Sequence, residues 1–382
     1  MAGYIFALQS KNKKESEIKN VLNKVIQSGV YSTNLNINKE EWNTPQEGTI
    51  ADYLSMKEGD NVYFFIDRKI YGVGKLVNIK GDCKFLNFPG ADIPKVEKYE
   101  LLKSKMILDK NENLKNRFIC TFEPAPYFFT EGIDTDDVLS SNPSAFKMLR
   151  VFANLSFIKI DDVENKALLD IILKRNENEI KKPNNIIEVS KDVHERIKEI
   201  YNDDYKITAN NILKLASNGE TIKHEMAIEA GIIDYIMNNR NGIFGSWDYI
   251  SHQVVASPFK PVYYMDKMDI FGYRYIPGFN TISRYLMIEI KKDTATTEVV
   301  HQAMKYVDWI NQEYSFGDYN MIEAFIVAKD FPKEVIKLKD SIGKRNFIQG
   351  RRPPITAEWS NLKLIKYKFN QDLSILEFEE VK

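Results

Sequence analysis

A glutamate and a lysine lie two residues apart at the end of a strongly apolar run, Tyr285 to Lys291 (YLMIEIK). The density of apolar residues predicts a buried β-strand. Because Glu289 and Lys291 are two apart on a strand, their side chains point to the same face. Buried charges are costly unless they are paired or bind a metal. The pair therefore indicates either an edge strand with solvated charges or a site that uses them.

A second acidic residue interrupts the preceding apolar stretch. Asp269 lies within Lys267–Phe271 (KMDIF), and the segment that follows, 272–284 (GYRYIPGFNTISR), contains the Gly and Pro residues typical of a hairpin arm. Two adjacent antiparallel strands would carry Asp269 and Glu289 side by side. Asp266 is a weaker alternative to Asp269, because only Asp269 is framed by apolar residues.

Two helical pairs flank these strands. Gln302 and Tyr306 are four residues apart just after the second strand, and Glu225 and Glu229 have the same spacing upstream. Residues four apart share one face of a helix. Taken alone, Gln302 and Tyr306 are typical of a polar surface residue and a packed aromatic, and Glu225 could simply face water. His301, which lies beside Gln302 on another helical face, is interpreted as structural.

The ordered set resembles the PD-(D/E)xK nuclease superfamily, in which a helix glutamate, an aspartate and a Glu-x-Lys on the next strand form a divalent-metal site. The matching positions are Asp269, then Glu289-Ile290-Lys291, then Gln302 and Tyr306, which resemble the Gln-x-x-x-Tyr pair of the RecB-like branch. The spacing most resembles the branch that contains mismatch- and flap-cutting prokaryotic DNA endonucleases. The resemblance covers about residues 220 to 330, and Met268 stands where the family often has proline.

The resemblance implies a site for Mg²⁺ or Mn²⁺, cations that prefer hard oxygen ligands. Asp269, Glu289 and the Ile290 carbonyl would be ligands, and Glu229 or Glu225 would complete the set directly or through water. Lys291 would orient the attacking water and offset charge that develops on the phosphate. Gln302 and Tyr306 would hold Lys291 and the scissile phosphate.

Composition narrows the classes of function. The chain has 382 residues, which favours two domains, and its 43% hydrophobic content is enough for two cores. The formal net charge of -1 does not indicate a globally basic nucleic-acid binder, although a local basic groove is compatible with it. Cys83 and Cys120 have no metal-type spacing and fit a reducing cytoplasm. We expect no signal peptide, no membrane span and no organic cofactor.

The pattern of helices and strands predicts an α/β protein. Residues 1–175 are expected to form a mixed α/β recognition domain, and residues 176–219 a polar linker (176–185) with connecting helices. Residues 220–382 are expected to form the nuclease domain, for which the resemblance implies a restriction-endonuclease-like αβββαβ core. A fragment starting near residue 186 is therefore expected to keep the metal site.

The first domain loosely resembles the PUA-like superfamily, especially EVE domains, over about residues 1 to 130. The resemblance rests on a Gly59-Asp60 turn, the aromatic strand that follows (VYFF) and a Gly-rich return strand (IYGVG). It implies a β-barrel with an aromatic pocket for a modified base, with Trp42, Tyr63, Phe65 and Phe88 as candidates. These rings could equally be barrel core. Arg345, Arg351 and Arg352 form a local basic cluster that could contact phosphate or lie in a solvated loop.

These features favour a metal-dependent DNA endonuclease that acts in prokaryotic anti-phage restriction, with the first domain choosing the target. The alternatives are a repair-type nuclease that recognises DNA structure, a non-catalytic nucleic-acid binder with a nuclease-like core, and a protein acting on RNA. DNA is the expected partner. A homo-oligomer is also expected, because nucleases of this class often need two active sites to cut two strands.

Overall fold

The computed structural model describes residues 1–8, 15–35, 41–95, 97–151, 157–182, 187–256 and 265–381. Helices α1 to α11 are, in chain order, Glu15–Ser28, Thr44–Leu54, Tyr99–Leu102, Thr135–Ser141, Asp162–Arg175, Glu177–Ile180, Asp192–Ile200, Asn210–Ala216, Glu225–Asn238, Thr297–Glu313 and Lys333–Ile342. Strands β1 to β9 are Gly3–Ala7, Val30–Asn34, Asn61–Ile66, Lys69–Leu76, Lys84–Leu86, Asn116–Asp134, Phe157–Ile160, Ser217–Asn218 and Thr221–Ile222. Strands β10 to β17 are Tyr249–Val255, Lys267–Tyr275, Ile282–Thr294, Ile322–Asp330, Arg345–Arg351, Pro354–Trp359, Leu362–Asn370 and Ile375–Val381. The α/β class predicted from the sequence is confirmed.

The chain forms two compact units, and one segment from its N-terminal part belongs to the second unit. The first unit contains 1–42 and 56–207, and the second contains 43–55 and 208–382. Helix α2 therefore belongs to the second unit, although the chain on both sides of it belongs to the first. Asn43 precedes this helix, and its backbone N–H donates to Gln46 Oε1 at 2.8 Å, while Pro45 occupies the first turn. Both features are typical of a helix start.

These units do not follow the boundaries at 175 and 220. Helix α7 and the residues up to 207 join the first unit because Ile197 and Tyr205 pack in one buried cluster with Phe85 and Ile119. Residues 183–186 of the predicted linker lie outside the described residues. A fragment starting near residue 186, which the sequence predicted to keep the metal site, would lack α2 and therefore part of the second unit.

The first unit is built on a seven-stranded sheet with the order β2-β6-β4-β3-β1-β7, in which β5 pairs with β6. Strands β1 and β3 run parallel, and β3 and β4 form the predicted hairpin. Its core is aromatic: the rings of Phe6 and Tyr31 stack at 4.1 Å between centroids. Cys83 and Cys120 are buried free thiols. A PUA-like barrel for this unit stays a prediction.

The second unit is built on a six-stranded sheet with the order β10-β11-β12-β13-β16-β17. Strands β10, β11 and β12 are antiparallel neighbours, whereas β12 and β13 are parallel, and helix α10 connects them. Strands β14 and β15 form a separate hairpin. Strand β12 is central, and its residues 285–290 are all buried, as expected for a strand covered on both faces.

No helix within the described ranges combines the length and the apolar content needed to cross a bilayer.

Candidate active site

Neighbouring strands bring the two predicted acidic residues to facing positions. Strands β11 and β12 are antiparallel, with Ile270 opposite Ile288 and Phe271 opposite Met287. The same register places Asp269 opposite Glu289, and opposite residues of antiparallel strands lie on one face. Lys291 lies two residues further along β12 on that face. The hairpin predicted from the sequence therefore positions Asp269, Glu289 and Lys291 together.

Glu289 is a fully buried carboxylate with one unused oxygen. Its relative exposure is 0%. Its Oε1 accepts a hydrogen bond from Lys291 Nζ at 2.8 Å, and its Oε2 has no hydrogen-bond partner. A buried polar atom without a partner carries a desolvation cost. The strand therefore holds a buried acceptor that makes no hydrogen bond within the described residues.

Asp269 is held by two donors. Its Oδ2 accepts from the backbone N–H of Ile290 at 2.7 Å, and its Oδ1 accepts from Gln253 Nε2 at 3.3 Å. The first bond connects Asp269 directly to the strand that carries Glu289 and Lys291. The carboxylate is therefore fixed by neighbouring strands on both of its sides.

The electrostatics of the acidic pair disfavour two negative charges. Burial, and then the neighbouring Glu289 and Glu229, raise the pKa of Asp269 well above its usual range. Burial also raises the pKa of Glu289 to about 7, against the lowering effect of Lys291. Burial by itself would lower the pKa of Lys291, but Glu289 raises it. Carboxylates that repel one another in a buried site are a frequent sign of function, and a cation would relieve the repulsion.

Helix α9 places Glu229 and Glu225 in different environments. Glu229 is buried, and its Oε1 accepts from Gln253 Nε2 at 2.8 Å, while its Oε2 lies 3.2 Å from His252 Nδ1. Glu225 is half-buried and accepts from the backbone N–H of Lys292 at 3.2 Å. Both therefore lie beside the strands of the site. Glu229 is the one connected through Gln253 to Asp269.

Three residues of this network were missed from the sequence: Asp52, His252 and Gln253. Gln253 bridges Glu229 and Asp269, and its φ of 52° is in the left-handed region, where a residue with a side chain is uncommon and often functional. His252 lies between Glu229 and Asp52, whose Oδ1 is 3.1 Å from Nε2. Burial would lower the pKa of His252, but Asp52 and Glu229 raise it to about 10. Positive φ and tertiary contacts leave no signal in the sequence pattern.

Helix α10 brings Gln302 and Tyr306 into contact with each other. Gln302 Nε2 donates to Tyr306 Oη at 3.3 Å, and Tyr306 is 2% exposed. Burial raises the pKa of Tyr306, and Glu289 and Asp269 raise it further, so the phenol lies within the field of the acidic pair. The bond found for Lys291 is to Glu289. Contact of Gln302 or Tyr306 with Lys291 stays a prediction.

Two other residues considered from the sequence, Asp266 and His301, do not take part in the hydrogen bonds given above for Asp269, Glu289 and Lys291. Asp266 pairs with Lys305 at 2.5 Å, and His301 is exposed. A structural role for His301 stays a prediction.

The aromatic candidates of the first unit are mostly interior. Trp42 and Phe88 are 4% exposed and Tyr63 is 0% exposed. Trp42 Nε1 donates to the Asp92 carbonyl at 2.7 Å, and Tyr63 Oη donates to Asn165 Oδ1 at 2.8 Å. Phe65 is half-buried. These contacts are those of packed core residues, so the structure does not present the four rings as one open base pocket.

The three arginines of the predicted basic cluster also differ. Arg345 binds Asp308 with both branches of its guanidinium, Nε and Nη2, at 2.8 Å each, so its role in the structure is an ion pair at the base of the β14–β15 hairpin. Arg351 and Arg352 are exposed at the tip of that hairpin. Phosphate contact stays a prediction for these two residues.

The residues present fit a hard divalent cation in their donor chemistry. Within the described ranges, no group of three or more His, Cys, Asp or Glu side chains is already arranged around a common metal position. The unpartnered Oε2 of buried Glu289 is nevertheless an open oxygen donor, and Asp269 faces it. Mg²⁺ is commonly bound through one or two carboxylates with water completing the set. Asp269, Glu289 and the Ile290 carbonyl are therefore the residues that would hold it.

This fit predicts how stability depends on pH and Mg²⁺. The pKa of Glu289 is raised to about 7 from its ordinary 4.5, so between these values the folded state retains a proton that the unfolded state releases. Without a divalent cation, the contribution of Glu289 to stability is thus present below this window and declines as pH rises through it. Mg²⁺ favours the ionised form, so we expect it to raise Tm more at about pH 8 than at about pH 5.5.

Thermal unfolding with Mg²⁺ or EDTA at the two pH values measures the effect. Glu289→Gln should reduce the difference, because it removes one of the two carboxylates whose pKa is raised. An equal Mg²⁺ shift at both pH values in the wild type would contradict the assignment.

Comparisons with known proteins give little. No protein-family model and no curated protein matches the chain. Among solved structures, the chain is similar to a repair endonuclease from Pyrococcus abyssi, with 23% identity and a TM-score of 0.22. The match covers 30% of this chain and 43% of that one, so it spans less than half of the solved protein.

Proposed function

We propose that this protein is a metal-dependent DNA endonuclease that hydrolyses phosphodiester bonds in its second unit. One observation carries the proposal: Asp269 and Glu289 face each other on neighbouring strands, beside Lys291, and buried Glu289 retains an oxygen without a partner. Two carboxylates held side by side in a buried site repel each other, and a divalent cation bound between them would offset that repulsion.

The order of elements supports the proposal. Helix α9, strands β10, β11 and β12, helix α10 and strand β13 follow one another in that sequence. This αβββαβ order is what the resemblance to the PD-(D/E)xK superfamily implies. The candidate residues lie on α9, β11, β12 and α10, so each would occupy the element expected for its role.

Each of these residues would have a separate role in the reaction. Bound Mg²⁺ or Mn²⁺ would polarise the phosphoryl group and lower the pKa of a water molecule. Asp269 is held in place by the Ile290 N–H, which keeps its carboxylate beside Glu289. The Lys291 side chain is 31% exposed, so its Nζ could reach a phosphate while it remains next to Glu289. Its positive charge would stabilise the negative charge of the transition state. Gln302 and Tyr306 would hold Lys291 and the scissile phosphate.

DNA and a role in anti-phage restriction are the substrate and context we propose, with the first unit choosing the target and two copies cutting two strands. A repair-type nuclease that recognises branched DNA is the alternative. The interior positions of Trp42, Tyr63 and Phe88 give no support to a base pocket made of these rings, so target choice is proposed for the first unit without assigning it to them.

A substrate panel tests the proposal. Plasmid duplex with and without modified cytosine, branched DNA, single-stranded DNA and RNA are incubated with the full chain in Mg²⁺ and in EDTA. We expect cleavage of DNA in Mg²⁺ and none in EDTA. Preference for modified or unmodified plasmid favours restriction, and preference for branched DNA favours repair. Cleavage of RNA alone, or of nothing, would overturn the proposal.

A further inference from the structure

Helix α2 contributes a carboxylate to the network behind the candidate site. Asp52, near the end of the helix, lies 3.1 Å from His252 Nε2, and the other ring nitrogen of His252 lies 3.2 Å from Glu229. Gly48 faces the same histidine: a Cβ there would lie 3.5 Å from His252 Cε1. Helix α2 is thus packed directly on His252.

The geometry fixes the orientation of Glu229. The His252 side chain is only 8% exposed, and each ring nitrogen faces a carboxylate oxygen, so rotation of the ring would break both contacts. Glu229 has its second oxygen on Gln253, which also donates to Asp269. The chain of contacts Asp52, His252, Glu229, Gln253 and Asp269 therefore runs without interruption from α2 to the candidate metal ligand.

We propose that Asp52 and His252 are positioning residues of this site, which set the affinity for the divalent cation by holding Glu229. The inference rests on the proposed function. The two residues touch neither the substrate nor the reacting atoms; they act through Glu229. Partners that orient metal-binding carboxylates from behind typically change metal affinity or activity by about 10–100-fold when they are removed.

This placement changes the expectation for truncated proteins. The chain on both sides of α2 belongs to the first unit, so a fragment starting near residue 186 lacks Asp52 and the helix that covers His252. Cleavage by the second unit therefore depends on a segment supplied from the N-terminal part of the sequence.

The test uses the full chain and Asp52→Asn, which keeps the size of a side chain that is 19% exposed and should fold. We expect the Mg²⁺ concentration for half-maximal cleavage to rise about 10–100-fold, with a much smaller change in rate at saturating Mg²⁺. The Mg²⁺-induced rise in Tm should shrink in parallel.

Glu47→Gln is the matched control. Glu47 lies on the same helix, is 2% exposed at its side chain and contacts His224 at 2.9 Å. Its carboxylate is held by His224 and not by His252, and it acts on Glu229 only through its charge. We expect this variant to keep the wild-type Mg²⁺ requirement even if its Tm is lower.

A double-mutant cycle with Glu229→Gln shows whether Asp52 acts through Glu229. In the Glu229→Gln background, Asp52→Asn should add little to the Mg²⁺ requirement. The inference is overturned if Asp52→Asn leaves the requirement unchanged, if Glu47→Gln shifts it equally, or if the two effects are additive. Failure of the wild type to cut any substrate would instead count against the proposed function.

Discussion

Asp269→Asn and Glu289→Gln are each expected to lower Mg²⁺-dependent DNA cleavage by more than about 100-fold, a larger loss than that caused by removing a residue behind a metal ligand. Both changes keep the size of the side chain and remove the negative charge. Asp269 and Glu289 face each other in a buried site whose pKa values are raised by burial and by their neighbours. Removing one charge removes half of the carboxylate pair that would attract the cation.

The measurement is the initial rate of plasmid cleavage over a range of Mg²⁺ concentrations, with circular dichroism to show that the fold is kept. Asp266→Asn is the control, because Asp266 is the competing acidic residue just before β11 and pairs with Lys305. We expect it to cut as the wild type does. Full activity of Asp269→Asn or Glu289→Gln, or loss of activity only in Asp266→Asn, would show that the site is assigned to the wrong residues.

The elements of the site could be predicted because their signals are local. The apolar runs around Asp269 and Glu289, separated by a segment with Gly and Pro, indicate a hairpin, and β11 and β12 are paired as expected. Strand alternation then gives the shared face of Glu289 and Lys291. The helix that begins at Thr297 follows from its periodic apolar residues, seven of which are buried.

The residues that hold the site from behind could not be predicted, because they meet only through contacts between distant parts of the sequence. Asp52 and His252 are 200 residues apart, and neither belongs to a motif. Helix α2 has a weak pattern, since Gly48 and Thr49 disfavour helix. Asn43, Pro45 and Gln46 were its only local sign. The limits of the compact units have the same origin: compactness is decided by packing, and residues 43–55 pack with the second unit.

For the aromatic candidates of the first unit, the residue types are visible in the sequence but their role is not. An aromatic strand such as VYFF is compatible with a binding pocket and with a core. The choice depends on what covers the rings: Phe64 packs at 6.0 Å, between ring centroids, from Phe6, and Tyr63 is hydrogen-bonded to Asn165. Residue type alone carries no information about such a neighbour.

Lys291→Ala is expected to lower the rate of cleavage at saturating Mg²⁺ by about 10²–10³-fold, the effect of losing one group that stabilises transition-state charge, while DNA binding is retained. Lys291 Nζ is the cation adjacent to Glu289, at 2.8 Å, and it remains partly exposed to a substrate. Its removal also leaves Glu289 without its charged partner, which raises the pKa of that carboxylate further. The rate must therefore be measured at saturating Mg²⁺, where weaker metal binding no longer limits cleavage.

Lys292→Ala provides the matched control for this change. Lys292 is the next residue on β12, and its Nζ donates to the Lys223 carbonyl at 3.3 Å. We expect Lys292→Ala to cleave as the wild type does, since Lys292 carries the same charge as Lys291 but its ammonium group is bonded to a carbonyl and not to Glu289. Single-turnover rates, DNA affinity and the Mg²⁺-induced change in Tm distinguish chemistry from binding. If Lys291→Ala cuts at the wild-type rate, Glu289 and Lys291 are only an ion pair on a strand, because a lysine that stabilises the transition state is needed even when metal and DNA are both bound.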